Sequence, residues 1–220
     1  MRTTLPSGTP VEIVKPDSPR RGVVIVPDIM GLRPLFDDLA ARLADEHNWA
    51  VAAIEPFAGR EEEPLDHRIT TMGDYDIDRC VADAVAAADA LDVVPVAVIG
   101  FCMGGMVTMH AAATGRFDRA VAFYGMIRRP EPWRGKAGTD AVDALIASPG
   151  SAERVLAVIG TADPYTPPAD VADLAAAGAT IASYEGAEHG FVHDASRPAH
   201  RADDAADAWR RTAEWLAVGE

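Results

Sequence analysis

Cysteine and basic residues are both scarce in this 220-residue sequence. Its two cysteines, Cys80 and Cys102, stand in different sequence contexts, whereas small disulfide-stapled secreted domains carry many more. Lysine and arginine together number 20 against 34 aspartates and glutamates, which gives a formal net charge of -14. Because binding to phosphates requires clustered basic side chains, this charge argues against a nucleic-acid partner and against docking on an anionic membrane surface.

Long apolar runs are absent as well. No stretch approaches the ~18 apolar residues that are needed to cross a bilayer, and the first residues contain no apolar segment typical of a signal peptide. We therefore expect a cytoplasmic protein with no membrane partner, in which a thiol stays reduced and free to react. The length suits one α/β unit and no internal repeat divides it, so a single domain over residues 1–220 is predicted.

What the sequence does contain is a regular alternation of short β-branched runs with longer alanine-rich helical patterns. Several runs are apolar nearly throughout, which is typical of strands covered on both faces. The alternation predicts an α/β fold with a mostly parallel sheet of about seven to eight strands, flanked by helices on both faces. The predicted strands are Val11–Val14, Gly22–Pro27, Trp49–Ile54, Pro95–Gly100, Arg119–Tyr124, Arg154–Gly160 and Ala179–Tyr184.

Two segments interrupt this alternation. Residues 58–78 are polar and include an acidic run, and residues 127–153 are rich in proline and glycine. Both are predicted to be loops or short irregular helices. Because both follow strands, we expect them near the carboxyl edge of the sheet, where open α/β sheets bind ligands.

The sharpest motif is Gly100-Phe101-Cys102-Met103-Gly104-Gly105, which follows an apolar strand and precedes a helical pattern. This is the arrangement of a nucleophile elbow, with cysteine in the usual serine position. A helix that begins after the cysteine points its N–H groups towards the sulfur and favours a thiolate. The alternatives are a buried structural cysteine or a nucleotide-binding loop, but no Gly-Lys-Ser/Thr follows the glycines.

A cysteine nucleophile needs a base, and the base needs an orienting partner. Asp163 follows one late predicted strand, and His189 follows the next, in the chain order that such hydrolases use. Taken alone, Asp163 could be a turn residue before a proline and His189 a surface loop residue. Asp170 and Asp173 are rivals to Asp163, but they lie inside a predicted helix.

Acyl transfer also needs N–H donors for the developing oxyanion. The backbone N–H of Met103 and that of Ile29, in the loop after the Gly22–Pro27 strand, are the candidates. A zinc site built on His189, His193 and Cys102 lacks an evident further ligand, so we expect no metal.

Together these positions resemble the dienelactone hydrolase (carboxymethylenebutenolidase-like) family of the α/β-hydrolase superfamily. The resemblance covers most of the chain and is carried by the elbow, by Phe123-Tyr124-Gly125, by the turn at 160–163 and by Ala187-Glu188-His189-Gly190-Phe191. Members of the family are typically monomeric, cofactor-free enzymes that open an unsaturated lactone ring through an acyl-enzyme. The resemblance therefore implies an α/β-hydrolase fold and hydrolysis of a small-molecule ester or lactone by a Cys102–His189–Asp163 triad, with Tyr124 and Phe191 beside the substrate.

The sequence departs from the family at three points. Asp28 stands where the family commonly has a glutamate that holds and deprotonates the resting thiol. His193 stands where an arginine often binds the substrate carboxylate, and Arg68 in the first irregular segment is a possible replacement. The 127–153 segment is longer than is usual in the family. These departures leave open a broader carboxylesterase or thioesterase without carboxylate recognition, and a non-catalytic, redox-sensitive thiol protein on a hydrolase scaffold.

Overall fold

The computed structural model describes residues 1–135 and 138–218. In these residues, eight strands form one sheet in the order β1-β2-β4-β3-β5-β6-β7-β8. The strands are β1 Arg2–Thr4, β2 Pro10–Val14, β3 Arg21–Val26, β4 Trp49–Ile54, β5 Val96–Phe101, β6 Arg119–Phe123, β7 Val155–Gly160 and β8 Thr180–Tyr184. The α-helices are α1 Pro34–His47, α2 Leu65–Thr70, α3 Ile77–Leu91, α4 Met103–Ala113, α5 Ala141–Ala147, α6 Pro168–Ala176 and α7 Ala202–Ala217.

Six neighbouring strands run parallel to one another, in the order β4-β3-β5-β6-β7-β8. Strand β2 pairs antiparallel with both β1 and β4. Helices α1 and α7 meet on one face, where the Arg42 guanidinium lies 4.9 Å from the Trp209 ring centroid. Helices α3, α4 and α5 pack in sequence against one another and, through α3 and α4, against the sheet. The parallel strands therefore deliver all their C-terminal loops to one edge of the sheet.

The predicted α/β fold with a mostly parallel sheet is confirmed. Each of the seven predicted strands is present, with its ends shifted by no more than one residue. Strand β1 was not predicted, because its three exposed residues Arg-Thr-Thr carry no apolar pattern. It forms through antiparallel pairing with β2, which a local pattern does not reveal.

The two irregular segments contain short helices, as expected. Residues 58–78 hold α2 and a 3₁₀ turn at Met72–Asp74, and α3 begins at Ile77 with the Asp76 carboxylate capping the N–H of Arg79. The described part of residues 127–154 holds α5 and two further 3₁₀ turns, at Glu131–Trp133 and Ala152–Arg154. Along the described ranges of the chain, no helix combines the length and apolarity that a membrane span requires.

Helix α4 approaches the sheet very closely at Gly104. A Cβ atom placed there would lie 2.2 Å from the carbonyl oxygens of Val26 and Pro27. A Cβ atom on Gly100, on the strand side of the turn, would lie 2.2 Å from the carbonyl oxygen of Gly104. The small residues on both sides of Cys102 are therefore required for β3, β5 and α4 to meet.

Replacing Gly104 by alanine should destabilise the protein, because neither carbonyl can move without displacing β3. We expect Gly104→Ala to lower the free energy of unfolding by at least about 1–3 kcal/mol, measured from the urea midpoint at constant slope. Gly73→Ala is the matched control, since its Cβ would meet no atom closer than Gly135 Cα at 3.4 Å. A loss no larger in Gly104→Ala than in the control would contradict this packing.

Candidate active site

Cys102 lies in the turn between β5 and α4 with φ 57° and ψ −121°, a conformation that non-glycine residues rarely adopt. Its N–H donates to the Phe123 carbonyl at 3.0 Å, and its own carbonyl accepts from the N–H of Met106 at 3.2 Å. The residue is 9% exposed. These contacts hold the thiol at the N-terminus of α4, and such backbone strain is typical of functional sites.

His189 and Asp163 meet beside the thiol. His189 Nδ1 lies 2.8 Å from Asp163 Oδ2, and the side chain of Asp163 is fully buried. The Cys102 side chain lies close enough to the imidazole to raise its pKa. Because Nδ1 is engaged by the carboxylate, we assign Nε2 to the sulfur. The structure thus brings the three residues of the expected triad together.

The imidazole of His189 is strongly basic. Burial opposes its charged form, but the hydrogen bonds to Asp163 and Cys102, together with their negative charges, outweigh burial and raise the pKa of His189 to about 10. At neutral pH the ring is therefore an imidazolium. The imidazolium and the N-terminus of α4 both place positive electrostatic potential next to the sulfur.

The two expected oxyanion donors lie in well-defined turns. The Asp28 carbonyl accepts from the N–H of Gly31 at 2.9 Å, which fixes the peptide plane that carries the N–H of Ile29. The N–H of Met103 is in the first turn of α4. Neither the Ile29 nor the Met103 N–H donates to another group within residues 1–135 and 138–218. Both donors are thus available to a ligand, which is what an oxyanion hole requires.

The Asp28 carboxylate accepts four hydrogen bonds. Oδ1 receives the Met30 N–H at 2.9 Å and Arg33 Nη1 at 2.7 Å, and Oδ2 receives Arg33 Nη2 at 3.0 Å and His193 Nε2 at 2.8 Å. Burial favours the neutral acid, yet His193 and Arg33 hold the pKa of Asp28 well below its usual range. A carboxylate has about four acceptor positions. All of them are occupied, so this geometry assigns Asp28 to the turn and to His193 and leaves no acceptor position for the resting thiol.

His193 is fully buried as a side chain, and burial lowers its pKa despite the neighbouring carboxylate. A neutral ring fits both contacts: Nε2–H donates to Asp28, and Nδ1 accepts from the Tyr124 hydroxyl. The ring therefore does not supply the positive charge expected at this position for a substrate carboxylate. Tyr124 is itself fully buried, with its ring centroid 5.2 Å from that of His189 and 5.8 Å from that of Phe191.

Arg68 is also engaged by the protein itself. Its guanidinium donates to the carbonyls of Ile29 at 3.2 Å, Arg60 at 3.2 Å and Glu61 at 2.6 Å. It lies over the Phe57 ring at 4.6 Å from the centroid, and the residue is buried. In this geometry Arg68 supports the oxyanion turn from its carbonyl side, and its role towards a substrate carboxylate stays a prediction.

Sequence reasoning missed two residues of the site. Arg33 directly precedes the first residue of α1 and neutralises Asp28. Tyr165 follows Asp163 by two residues, and its ring centroid is 4.9 Å from that of His189. The short spacing from an already singled-out aspartate was the available signal in both cases. Across the described ranges, no group of three or more histidine, cysteine or acidic side chains could hold a metal ion.

The parallel sheet, the strained turn before α4 and the acid–histidine pair on the loops after β7 and β8 define an α/β-hydrolase. The model of the dienelactone hydrolase family matches residues 10–218, so the chain belongs to this family.

Known proteins agree with this assignment. A predicted carboxymethylenebutenolidase of Escherichia coli O157:H7 is 30% identical over 219 residues, covering 91% of this chain and 78% of that protein. A carboxymethylenebutenolidase of Rhodococcus opacus is 27% identical over 213 residues, covering 88% of this chain and 79% of that protein. The crystal structure of a predicted dienelactone hydrolase from Klebsiella pneumoniae superposes with a TM-score of 0.79 at 26% identity, covering 99% and 97% of the two chains. The protein is a hydrolase of the lactone or ester type.

The charge state of His189 can be tested by ¹⁵N NMR of the imidazole, assigned with a His189→Gln spectrum. We expect both ring nitrogens to stay protonated at pH 7 and to titrate near pH 10. Folding raises the pKa of His189 from 6.5 to about 10, so the protonated ring stabilises the folded state. This contribution to stability is complete below pH 6.5 and is lost as the pH rises through about 10. Cys102→Ala and Asp163→Asn should each lower the pKa. A neutral ring in the wild type at pH 7 would contradict the imidazolium assigned here to His189.

Proposed function

We propose that the enzyme hydrolyses small carboxylic lactones and esters through a covalent acyl-cysteine, in the manner of dienelactone hydrolysis. The placement of His189 between Asp163, to which it hydrogen-bonds, and Cys102, which raises its pKa, is the observation that carries this proposal. All three residues belong to one chain, and members of the family are typically monomeric, so a monomer is the expected form.

Acylation begins with the thiolate of Cys102. Its sulfur attacks the carbonyl carbon of the substrate, and the carbonyl oxygen becomes an oxyanion that the N–H groups of Ile29 and Met103 stabilise. The intermediate collapses as the bond from carbon to the leaving oxygen breaks. His189 gives its proton to that oxygen, which leaves a thioester and a neutral imidazole. In a lactone the leaving oxygen stays attached to the acyl group, so the ring opens.

Deacylation reverses the proton flow. Neutral His189 takes a proton from water while the hydroxide oxygen attacks the thioester carbon. The second tetrahedral intermediate expels the Cys102 thiolate and releases the carboxylic acid product. Imidazolium and thiolate are thereby restored, and Asp163 keeps the ring oriented throughout by holding Nδ1–H.

The similarity to carboxymethylenebutenolidases supports an unsaturated lactone as the substrate of this enzyme. A second candidate, a broader carboxylesterase, is favoured by two observations: Arg68 is bound to backbone carbonyls, and burial lowers the pKa of His193. If an anionic lactone is preferred, Arg197 is the cation to consider. Its guanidinium lies close to Gly190, the residue after His189: a Cβ atom placed on Gly190 would be 2.5 Å from Arg197 Nη1. The guanidinium makes no ion pair or hydrogen bond to the part of the chain that the structure describes.

Steady-state hydrolysis of a dienelactone and of a neutral aryl ester tests both candidates. We expect the wild type to turn over both, and Cys102→Ala to lose at least about a thousandfold on each. Cys80→Ala is the matched control, because burial raises the pKa of the Cys80 thiol to about 12 and makes it unreactive. We expect this variant to retain activity.

The relative rates separate the candidates. A higher kcat/KM on the anionic lactone supports dienelactone hydrolysis, and a higher value on the neutral ester supports the broader carboxylesterase. Undiminished hydrolysis by Cys102→Ala would refute the triad. Folded wild type that is inactive on both substrates would refute the proposal and leave the redox-sensitive thiol protein.

A further inference from the structure

Tyr165 is an exposed aromatic side chain in contact with the proposed catalytic base. It is 46% exposed, and its ring stands at 65° to the imidazole of His189 with 4.9 Å between centroids. The other aromatic ring in contact with the imidazole, that of Tyr124, is fully buried. Core packing accounts for Tyr124, but it does not account for a large ring that remains open to solvent beside the base.

The backbone of Tyr165 is held by the same carboxylate that orients the base. Its N–H donates to Asp163 Oδ1 at 2.8 Å, while Asp163 Oδ2 binds His189 Nδ1 at 2.8 Å. The N–H of Thr166 also donates to the Asp163 carbonyl, at 3.3 Å. The backbone of Tyr165 and the imidazole are thus held by one buried side chain.

The chemistry of acylation determines what lies next to His189. The leaving oxygen takes its proton from this imidazole as its bond to carbon breaks, so it must come within hydrogen-bond reach of the ring. One side of the imidazole is closed by the buried ring of Tyr124. The ring of Tyr165 contacts the same imidazole and is itself partly exposed to solvent. The leaving group therefore enters against Tyr165.

We propose that Tyr165 is a specificity-determining residue whose ring forms the wall of the leaving-group subsite and favours flat, conjugated leaving groups over aliphatic ones. Aryl and enol oxygens carry a planar π-system that packs on an aromatic wall in offset or edge-on contact, whereas a saturated alcohol does not. The enol oxygen of an unsaturated lactone belongs to the favoured class. This inference rests on the proposed triad, because the triad places the leaving group at His189.

The ring rather than the hydroxyl is the functional part. Within residues 1–135 and 138–218 the Tyr165 hydroxyl makes no hydrogen bond, whereas that of Tyr124 donates to His193. Tyr165→Phe therefore keeps the wall, and Tyr165→Leu removes its π-face while retaining an apolar side chain of moderate size. The two variants form a matched pair.

The experiment compares kcat/KM for two acetate esters, one of a phenol and one of a fluorinated aliphatic alcohol, whose leaving groups are matched in acidity. We expect the wild type and Tyr165→Phe to prefer the aryl ester. Tyr165→Leu should lose roughly two- to tenfold of that preference, since aromatic contacts are worth about 0.5–1.5 kcal/mol. The urea midpoints of both variants should match that of the wild type.

Two results would overturn the inference. An aryl preference unchanged in Tyr165→Leu would show that the ring does not contact the leaving group. An equal fall on both esters would show that Tyr165 acts only by positioning His189. Cys102→Ala is measured on the same two esters. If the proposed triad is wrong, this variant will hydrolyse both esters as fast as the wild type, which distinguishes that failure from the two results above.

Discussion

The site depends on one constraint, the tight turn that joins β5 to α4. Cys102 keeps a positive φ there because its backbone is tied to β6 through the Phe123 carbonyl and to α4 through Met106. The contact of Gly104 with the carbonyls of β3 brings the oxyanion turn after β3 close to the start of α4. Nucleophile, oxyanion donors and helix N-terminus are therefore placed together by packing of the backbone.

A second group of contacts surrounds Asp28. This buried carboxylate joins the oxyanion turn to Arg33 on one side and to His193 on the other, and His193 in turn accepts from Tyr124. Removing one partner of a buried ion pair leaves an uncompensated charge, which is strongly destabilising. Asp28, which is one methylene shorter than the family glutamate, thus links parts of the structure. Among the proposed catalytic side chains, only His189 then interacts with the Cys102 thiol.

The sheet and the three proposed triad residues could be predicted from the sequence because each depends on local signals. Apolar runs mark the strands, and Cys102, Asp163 and His189 come directly after strands whose order is dictated by the fold. The environments of Arg68 and His193 could not be predicted in the same way. They depend on contacts with residues distant in the chain, Ile29 for one and Asp28 and Tyr124 for the other. Whether a cation is free to bind a ligand is decided by such long-range contacts.

The central claim is that an acyl group passes through the sulfur of Cys102. Rapid mixing with excess aryl ester, acid quench and intact-mass analysis test it most directly. The account predicts that the protein mass rises by one acyl group within the first turnover, that peptide mapping places the group on Cys102, and that it decays no more slowly than steady-state turnover. Turnover without any adduct, or with an adduct on another side chain while Cys102 stays unmodified, would contradict the account.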